Sequence, residues 1–539
     1  MRPKHDDRLR TAAIAGLVVL GTVLAFLPVL GNGWIGDWDD GPWLVANTQY
    51  RGLGLSQLRW MFTTLLGKHY QPLTWITYAC DYLLWGLNPS GYHATNLAVH
   101  AASAALYFLL ARRLLAAATG QALSEVHVES AFAALLFSVH PLRVEPVAWA
   151  ADRRDLLAGF FFLATILAYL RGQAEPRRRR TWLGAACGAY ALSLMSKGVG
   201  LSLPVVLLVL DWYPGRRLRT GPSLRAALIE KIPFALMSVA SFVGLAAAQS
   251  GALRTPGSVL RLERLDQAVY GLAFYVGKTL FPAGLAAFYE IPTRWAALAP
   301  LWLLCAALTG LITVLALRLR REFPGLLAAW VCYAATVFPM LGLATDSYQL
   351  AADRYTYLSC LAWPLLAAAG LRRARSISGP RALAVSAVLV AVLGALTWRQ
   401  SMFWRDPQSL WAHTLELEPD SVIAQMNFGN LMAREGRLDE AAAHFQTALD
   451  LNPVCVSAQD RLAAIADDPS RAPETAELRR MLMINPACLA AYGNLISADA
   501  SRGKNLPRAE AYYRQMLSLG LRRQDLEENL SKVLRAEGK

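Results

Sequence analysis

From residue 11 to residue 30 the chain reads TAAIAGLVVLGTVLAFLPVL, twenty positions without a charge. As a helix, such a run crosses roughly 30 Å of hydrocarbon. Comparable runs recur at 94–111, 131–140, 156–170, 181–195, 199–210, 232–249, 299–317, 325–342, 355–370 and 382–398. Their apolar residues come in blocks rather than on one amphipathic face, and several are short or broken by Pro or a charge. That pattern predicts helices packed inside a polytopic bundle rather than isolated anchors. The first run is expected to be a span and not a signal peptide, being too long and lacking a small-residue cleavage site. Beyond about residue 400 the blocks give way to a polar, helical pattern. The expected fold is all-α, with a multi-spanning membrane domain over 1–400 and a helical repeat domain over 401–539.

The tail repeats with a period. VIAQMNFGNLMAREGRLDEAAAHFQTALDLNP (422–453) fits the tetratricopeptide pattern, with Gly429, Ala441, Phe445, Ala448 and Pro453 at its diagnostic offsets. Small residues let two antiparallel helices approach, and the proline ends the unit. Pro419, Pro453 and Pro486 recur at spacings of 34 and 33, so the phase continues through 454–486. A last unit includes Gly493, Ala509 and Tyr513, a half unit precedes the series at Trp404–Pro419, and DLEENLSKVLRAEG is expected to cap the end. Stacked units of this kind form an α-solenoid with a concave groove suited to extended peptides. The plainer reading is a brace for the membrane domain or an oligomerisation surface.

Composition agrees with lipid burial: 55% of the 539 residues are hydrophobic and 17% charged, against roughly 25% charged in soluble domains. The net charge of +14 does not point to nucleic acid, because it sits in short loops beside the apolar runs: MRPKHDDRLR, Arg112–Arg113, RGQAEPRRRR, GRRLR, RLRR and LRRARSISGPR. Such loops set membrane orientation. Placing them in the cytoplasm puts 31–92, 141–153 and 343–353 outside and gives about eleven spans with the C-terminus outside. LDQAVYGLAFYVGKTLF (265–281) then reads as an interfacial or re-entrant segment, or as half of a short pair. Cys80, Cys187, Cys305, Cys332 and Cys360 read as small core residues. Cys455 and Cys488 occupy equivalent repeat positions, too far apart to bridge easily. No metal-ligand spacing appears, and a divalent metal is neither required nor excluded.

Four stretches gather ionisable residues at the expected outer surface. WIGDWDDGPW (34–43) carries Asp37, Asp39 and Asp40, and KHYQPLTW (68–75) follows with His69 and Tyr70. HPLRVEPVAWAADRRDLL (140–157) holds His140, Arg143, Glu145, Arg153, Arg154 and Asp155. MSKGVG (195–200) supplies Lys197, and DRYTYL (353–358) supplies Asp353, Arg354 and Tyr357. An ionisable group within a span costs roughly 2.5–3.5 kcal/mol on the insertion scale, so those that persist usually face a cavity or a partner. Cations with one or two carboxylates suit a lipid phosphate and a hydroxyl awaiting deprotonation. Plainer readings stand beside this one. The acids could solvate a loop, Arg143 and Glu145 could pair with each other, His140 could close a helix end, and Lys197 could be a topological charge. Trp34, Trp38 and Trp43 read as an aromatic belt or, alternatively, a sugar platform. Asp211 falls on the cytoplasmic side and outside the site.

In this order the motifs resemble the transmembrane O-mannosyltransferases with tetratricopeptide repeats and their bacterial relatives in the GT-C glycosyltransferase superfamily. The carrying pieces are DWDDGPWLVAN (37–47), HYQPLTWITYACDYLLWGLNPSGYHATNLAVHA (69–101), HPLRVEPVAWAADRRDLLAGFFF (140–162), SKGVG (196–200), DRYTYL and the repeat tail. The resemblance implies a GT-C fold whose first outer loop carries a catalytic acid pair, here Asp39 and Asp40. It implies a polyprenyl-phosphate sugar donor, with mannose the suggested sugar, and Ser or Thr hydroxyls of exported polypeptides as acceptors, held near the site by the repeats. By the same resemblance His69 and Tyr70, His140, Glu145, Arg153 and Asp155 fall on motif positions. With Arg143, Lys197 and Arg354 they form the expected donor-binding set. One departure is Gly198, where relatives commonly carry Glu after Ser-Lys. An inverting displacement with an Asp base would follow, in a bacterial inner membrane with periplasmic repeats, or in the endoplasmic reticulum with luminal ones. A transferase, polymerase or ligase of lipid-linked glycans and a non-enzymatic membrane scaffold are the alternatives. A transporter fits less well, because the charges collect at one surface rather than at mid-depth.

Overall fold

The uncharged runs are helices. The computed structural model describes residues 5–218, 220–248, 262–291, 299–343, 349–453 and 455–466, and the chain divides into two compact units, Met1–Leu410 and Trp411–Lys539. The described helices are α1 (His5–Ala25), α2 (Leu55–Thr63), α3 (Pro72–Trp85), α4 (Pro89–Thr119), α5 (His127–Ser138), α6 (Val144–Ala148), α7 (Arg153–Ala174), α8 (Arg179–Ser196), α9 (Leu203–Trp212), α10 (Gly221–Ala248) and α11 (Leu262–Leu280). After strand β1 (Tyr289–Glu290) come α12 (Ala299–Arg318) and α13 (Pro324–Val337). Strand β2 (Gln349–Ala351), paired antiparallel with β1, precedes α14 (Thr356–Ser359) and α15 (Trp363–Phe403). The last four are α16 (Pro407–Leu417), α17 (Val422–Arg434), α18 (Leu438–Leu451) and α19 (Val456–Ala466).

Six helices are long and apolar enough to cross a bilayer, or seven if the bent pair Leu123–Ser138 and Pro141–Ala148 is one span, among the described residues. Two shorter apolar helices, Gly198–Trp212 and Pro324–Met340, add to them. These mark an integral membrane protein. The runs 355–370 and 382–398 form one long element broken at Ser378, where the backbone leaves helical geometry ahead of Pro380. The segment 265–281 lies almost wholly in the 19-residue helix α11. It turns Ala268 and Tyr275 into a cluster with Tyr289, Trp330 and Tyr333. On α1, α10 and α12, Leu17, Leu20, Leu236, Val239, Leu303 and Leu304 stay exposed, as suits helices long and apolar enough to cross a bilayer.

The centre of the first unit is α4, α5 and α7, filled by Tyr107, Phe108, Phe137, Leu163 and Ile166. Helix α7 carries charge at both ends. Near its C-terminal end Asp211 accepts from Tyr169 Oη at 2.7 Å and from Arg217 Nη1 at 2.8 Å, and touches Lys231. Glu230 takes Arg217 at 3.0 Å, Gln173 at 3.3 Å and Arg179 beside them. Those bonds tie α7, α8, α9 and α10 together.

In the second unit α17, α18 and α19 pack consecutively around Met432, Ala441, Phe445, Ala448 and Ala458. A Cβ on Gly429 would stand 2.7 Å from the Phe445 ring, so glycine is needed where the two helices close on each other. Pro486, Cys488, Gly493, Ala509, Tyr513 and the expected cap lie outside the described residues.

Candidate active site

Between α1 and α2 the chain makes a tight structure around the acids. A turn of π-helix, Gly41–Val45, starts directly after Asp40, a geometry that recurs at functional positions. Its first residue must be glycine, because a Cβ there would lie 2.1 Å from the carbonyl oxygen of Gly36. Asp40 is completely buried. Its Oδ2 accepts the Ile35 amide at 2.9 Å, and its Oδ1 accepts the Ala151 amide at 2.8 Å. Both oxygens are therefore spoken for, and Asp40 ties the first loop to the second. Burial pushes its carboxyl up to about 7, against the pull of the two amides.

Asp39 is the open member of the pair. Its side chain keeps 27% of its exposure and lies 3.9 Å from Arg154 Nη2. Burial raises its carboxyl, while Arg154 and then Arg354 oppose the rise. Arg154 spreads over the Trp43 ring at 4.8 Å and gives Nε to Asp152 Oδ1 at 3.2 Å. Its Nη1 is buried without a hydrogen-bond partner. Lys197, on the break between α8 and α9, touches Asp155 and stands 3.7 Å from Asp152. Arg354 contacts Glu145 with its guanidinium, and its backbone amide donates to Glu145 Oε2 at 2.7 Å. Its Nη2 reaches Gln349 Oε1 at 2.8 Å. Asp39, Glu145, Asp152, Arg154, Asp155, Lys197 and Arg354 thus form one cluster drawn from four separate stretches.

A cavity of about 440 Å³ opens beside it. His69, Tyr70, Gln71 and Lys197 contribute polar groups, and Leu194, Met195, Met237 and Ala240 make an apolar wall from α8 and α10. His69 is held well below its ordinary range by burial and then by Arg154 and Lys197, so its ring is neutral at pH 7.

Three expected residues are placed elsewhere. Arg153 is fully buried in a closed setting: it pairs with Asp81, donates to Asn96 Oδ1 at 2.7 Å and to the Tyr92 carbonyl at 2.9 Å, and lies over Tyr78 at 4.5 Å. Arg143 donates to Thr356 Oγ1 at 2.9 Å and the Phe137 carbonyl at 3.3 Å, and not to Glu145. His140 accepts the Leu142 amide at 3.3 Å and meets the Thr279 carbonyl at 3.0 Å, closing a helix end. The tryptophans of the loop make packing contacts. Trp38 stacks on Trp149 at 4.0 Å, Trp43 supports Arg154, and Trp34 reaches the Leu87 carbonyl at 3.3 Å.

Sequence reasoning left Asp152 out of the site. The available signal was its spacing from Asp155, three residues and almost one helical turn. Gln71 was also missed, hidden between the motif residues Tyr70 and Pro72. Among the described residues no group of three or more His, Cys, Asp or Glu side chains could hold a metal ion.

No family model matches the chain. Curated relatives do. It is 24% identical over 84% of its length to protein O-mannosyl-transferase Tmtc3 of Drosophila melanogaster, covering 57% of that protein. It is 24% identical over 84% of its length to protein O-mannosyl-transferase F38B6.6 of Caenorhabditis elegans, covering 64%. With human protein O-mannosyl-transferase TMTC1 the figures are 23%, 80% and 52%. The chain therefore spans between about half and two thirds of the length of these relatives. A solved structure, ArnT from Cupriavidus metallidurans bound to undecaprenyl phosphate, aligns with a TM-score of 0.38 and 17% identity, covering 86% of this chain and 81% of that one. The motifs singled out in the sequence thus sit in a chain whose homologues are named protein O-mannosyl-transferases.

Proposed function

We propose that the chain transfers a sugar, mannose by the names of its relatives, from a polyprenyl-phosphate donor to Ser or Thr hydroxyls of exported polypeptides. The observation that carries this is the asymmetry of the acid pair. Asp39 keeps a partly exposed carboxylate among Arg154, Lys197 and Arg354, whereas both oxygens of Asp40 are bound to backbone amides. Asp39 is then the general base and Asp40 the residue that holds it in place.

The acceptor hydroxyl gives its proton to Asp39 as its oxygen bonds to the anomeric carbon. The bond from that carbon to the phosphate oxygen breaks on the opposite face, its electron pair leaving with the polyprenyl phosphate. One displacement inverts the configuration. Arg154 and Lys197 meet the charge that develops on the phosphate, where preorganised cations count most. Arg154 is suited by its unpartnered Nη1, and Lys197 by its place on the cavity wall. Arg354, engaged with Glu145 and Gln349, shapes the field around Asp39. The apolar wall of α8 and α10 suits the first isoprene units of the lipid. The packed helices between residues 422 and 466 suit the presentation of an acceptor segment, from the periplasm or the lumen.

Membranes carrying the full chain, incubated with labelled polyprenyl-phosphate mannose and Ser/Thr-containing polypeptides, test the reading. Label is expected in protein, released by β-elimination. Label found only in lipid-linked glycan would overturn protein transfer and favour the glycan-ligase alternative.

A further inference from the structure

Gln71 closes the loop that carries His69 and Tyr70 and stands immediately before α3, where its side chain accepts no capping hydrogen bond. It is 1% exposed, it belongs to the wall of the 440 Å³ cavity, and neither Oε1 nor Nε2 has a hydrogen-bond partner. A buried amide with both ends unsatisfied is costly, and the folded chain gains nothing visible from it. No hydrogen bond has to break for it to turn toward a ligand.

We propose that Gln71 is a specificity residue that recognises the donor's sugar, which rests on the reading of this cavity as the donor site. An amide presents one acceptor and one donor pair side by side. A vicinal diol answers both, one hydroxyl donating to Oε1 and its neighbour accepting from Nε2. A phosphate answers only Nε2, since its oxygens accept and would face Oε1 without a proton. The cavity therefore divides its labour by chemistry: Lys197 suits the phosphate, the α8 and α10 side chains suit the lipid, and Gln71 suits hydroxyls. A site built to hydrogen-bond hydroxyls also rejects ligands that lack them, because its own polar groups are then left unpaired.

The test uses the full chain in detergent or nanodiscs with two probes, polyprenyl-phosphate mannose and bare polyprenyl phosphate. Gln71→Met keeps the side chain's length and removes both polar atoms. It is expected to weaken binding of the mannose lipid by roughly 10- to 100-fold, leave the bare lipid unchanged, and raise the thermal midpoint of the free protein. Gln71→Asn, which retracts the amide by one methylene, is expected to fall between. A Gln71→Met protein that melts lower and loses both lipids equally would make Gln71 structural and overturn the proposal. Undiminished preference for the mannose lipid in a folded Gln71→Met protein would overturn it as well. If the unaltered chain binds neither lipid, the donor-site reading fails first and Gln71 loses its ligand with it.

Discussion

Helix α7 ends in buried charge on both sides, and the two ends differ in how fully that charge is matched. From Asp155 to Tyr169 is fourteen residues of helix, about 21 Å. At the Tyr169 end, Asp211 and Glu230 are each met by several donors from Tyr169, Gln173, Arg179, Arg217 and Lys231, with Arg179 Nε left buried and unmatched. At the Asp155 end, Arg154 Nη1, Arg354 Nε, Asp152 Oδ2 and both polar atoms of Gln71 are buried and unmatched. Paired charge inside a protein is often near neutral in stability, but a pair broken by loss of one partner is expensive. Buried charge alone therefore does not mark a site. What sets the Asp155 end apart is open hydrogen-bonding capacity beside a cavity, at Gln71.

The largest effect expected from this contrast is on turnover. Asp39→Asn should lower transfer by roughly a hundredfold to ten-thousandfold, with an almost unchanged melting temperature. A clear fall in melting temperature would mean that Asp39 belongs with the closed kind of residue. Lys231→Met should do the reverse. It leaves Asp211 with Arg217 and Tyr169 but one cation fewer and should cost about 1–3 kcal/mol of stability, measured by thermal unfolding, without altering the affinity for donor lipid in protein that remains folded. Asp40→Asn should sit between them. Its amide has a single acceptor oxygen, so one of the Ile35 and Ala151 amides would face an NH2 group. The expected loss is about 1–3 kcal/mol, with turnover falling because Asp39 is no longer held. The smallest effect is a displaced pH profile. Asp39 works as a base only when ionised, and burial raises its carboxyl above 3.8. The rate should therefore climb with pH over a range higher than an ordinary aspartate gives, and an acid limb centred at or below 3.8 would contradict the assignment.

Much of this molecule could be read from the chain because its cues are local. Uncharged blocks announced the helices, Gly429 and Phe445 announced the close helix pair, and DWDD announced a loop carrying acids. The unread part depends on distance along the chain. Nothing near Asp40 reveals that its second oxygen is taken by Ala151, 111 residues away, and so nothing local says which aspartate is free. Glu145 finds Arg354 across 209 residues, while Arg143, two positions before Glu145, goes to Thr356 instead. Single-residue motifs ranked Arg153 above Arg154. Alternation at the start of α7 sends the first toward Asp81 and the second toward Asp39, and only packing decides which neighbour faces the cavity.

The strap between the two loops has a consequence for how this protein can vary. Its donors are main-chain amides, which exchanging the side chain at 35 or 151 leaves in place so long as proline is avoided, although both residues are fully buried and their size is held by packing instead. The hydrogen bonds of the joint therefore hang on residue 40 alone, while Gly41 and the packing around positions 35 and 151 constrain its shape.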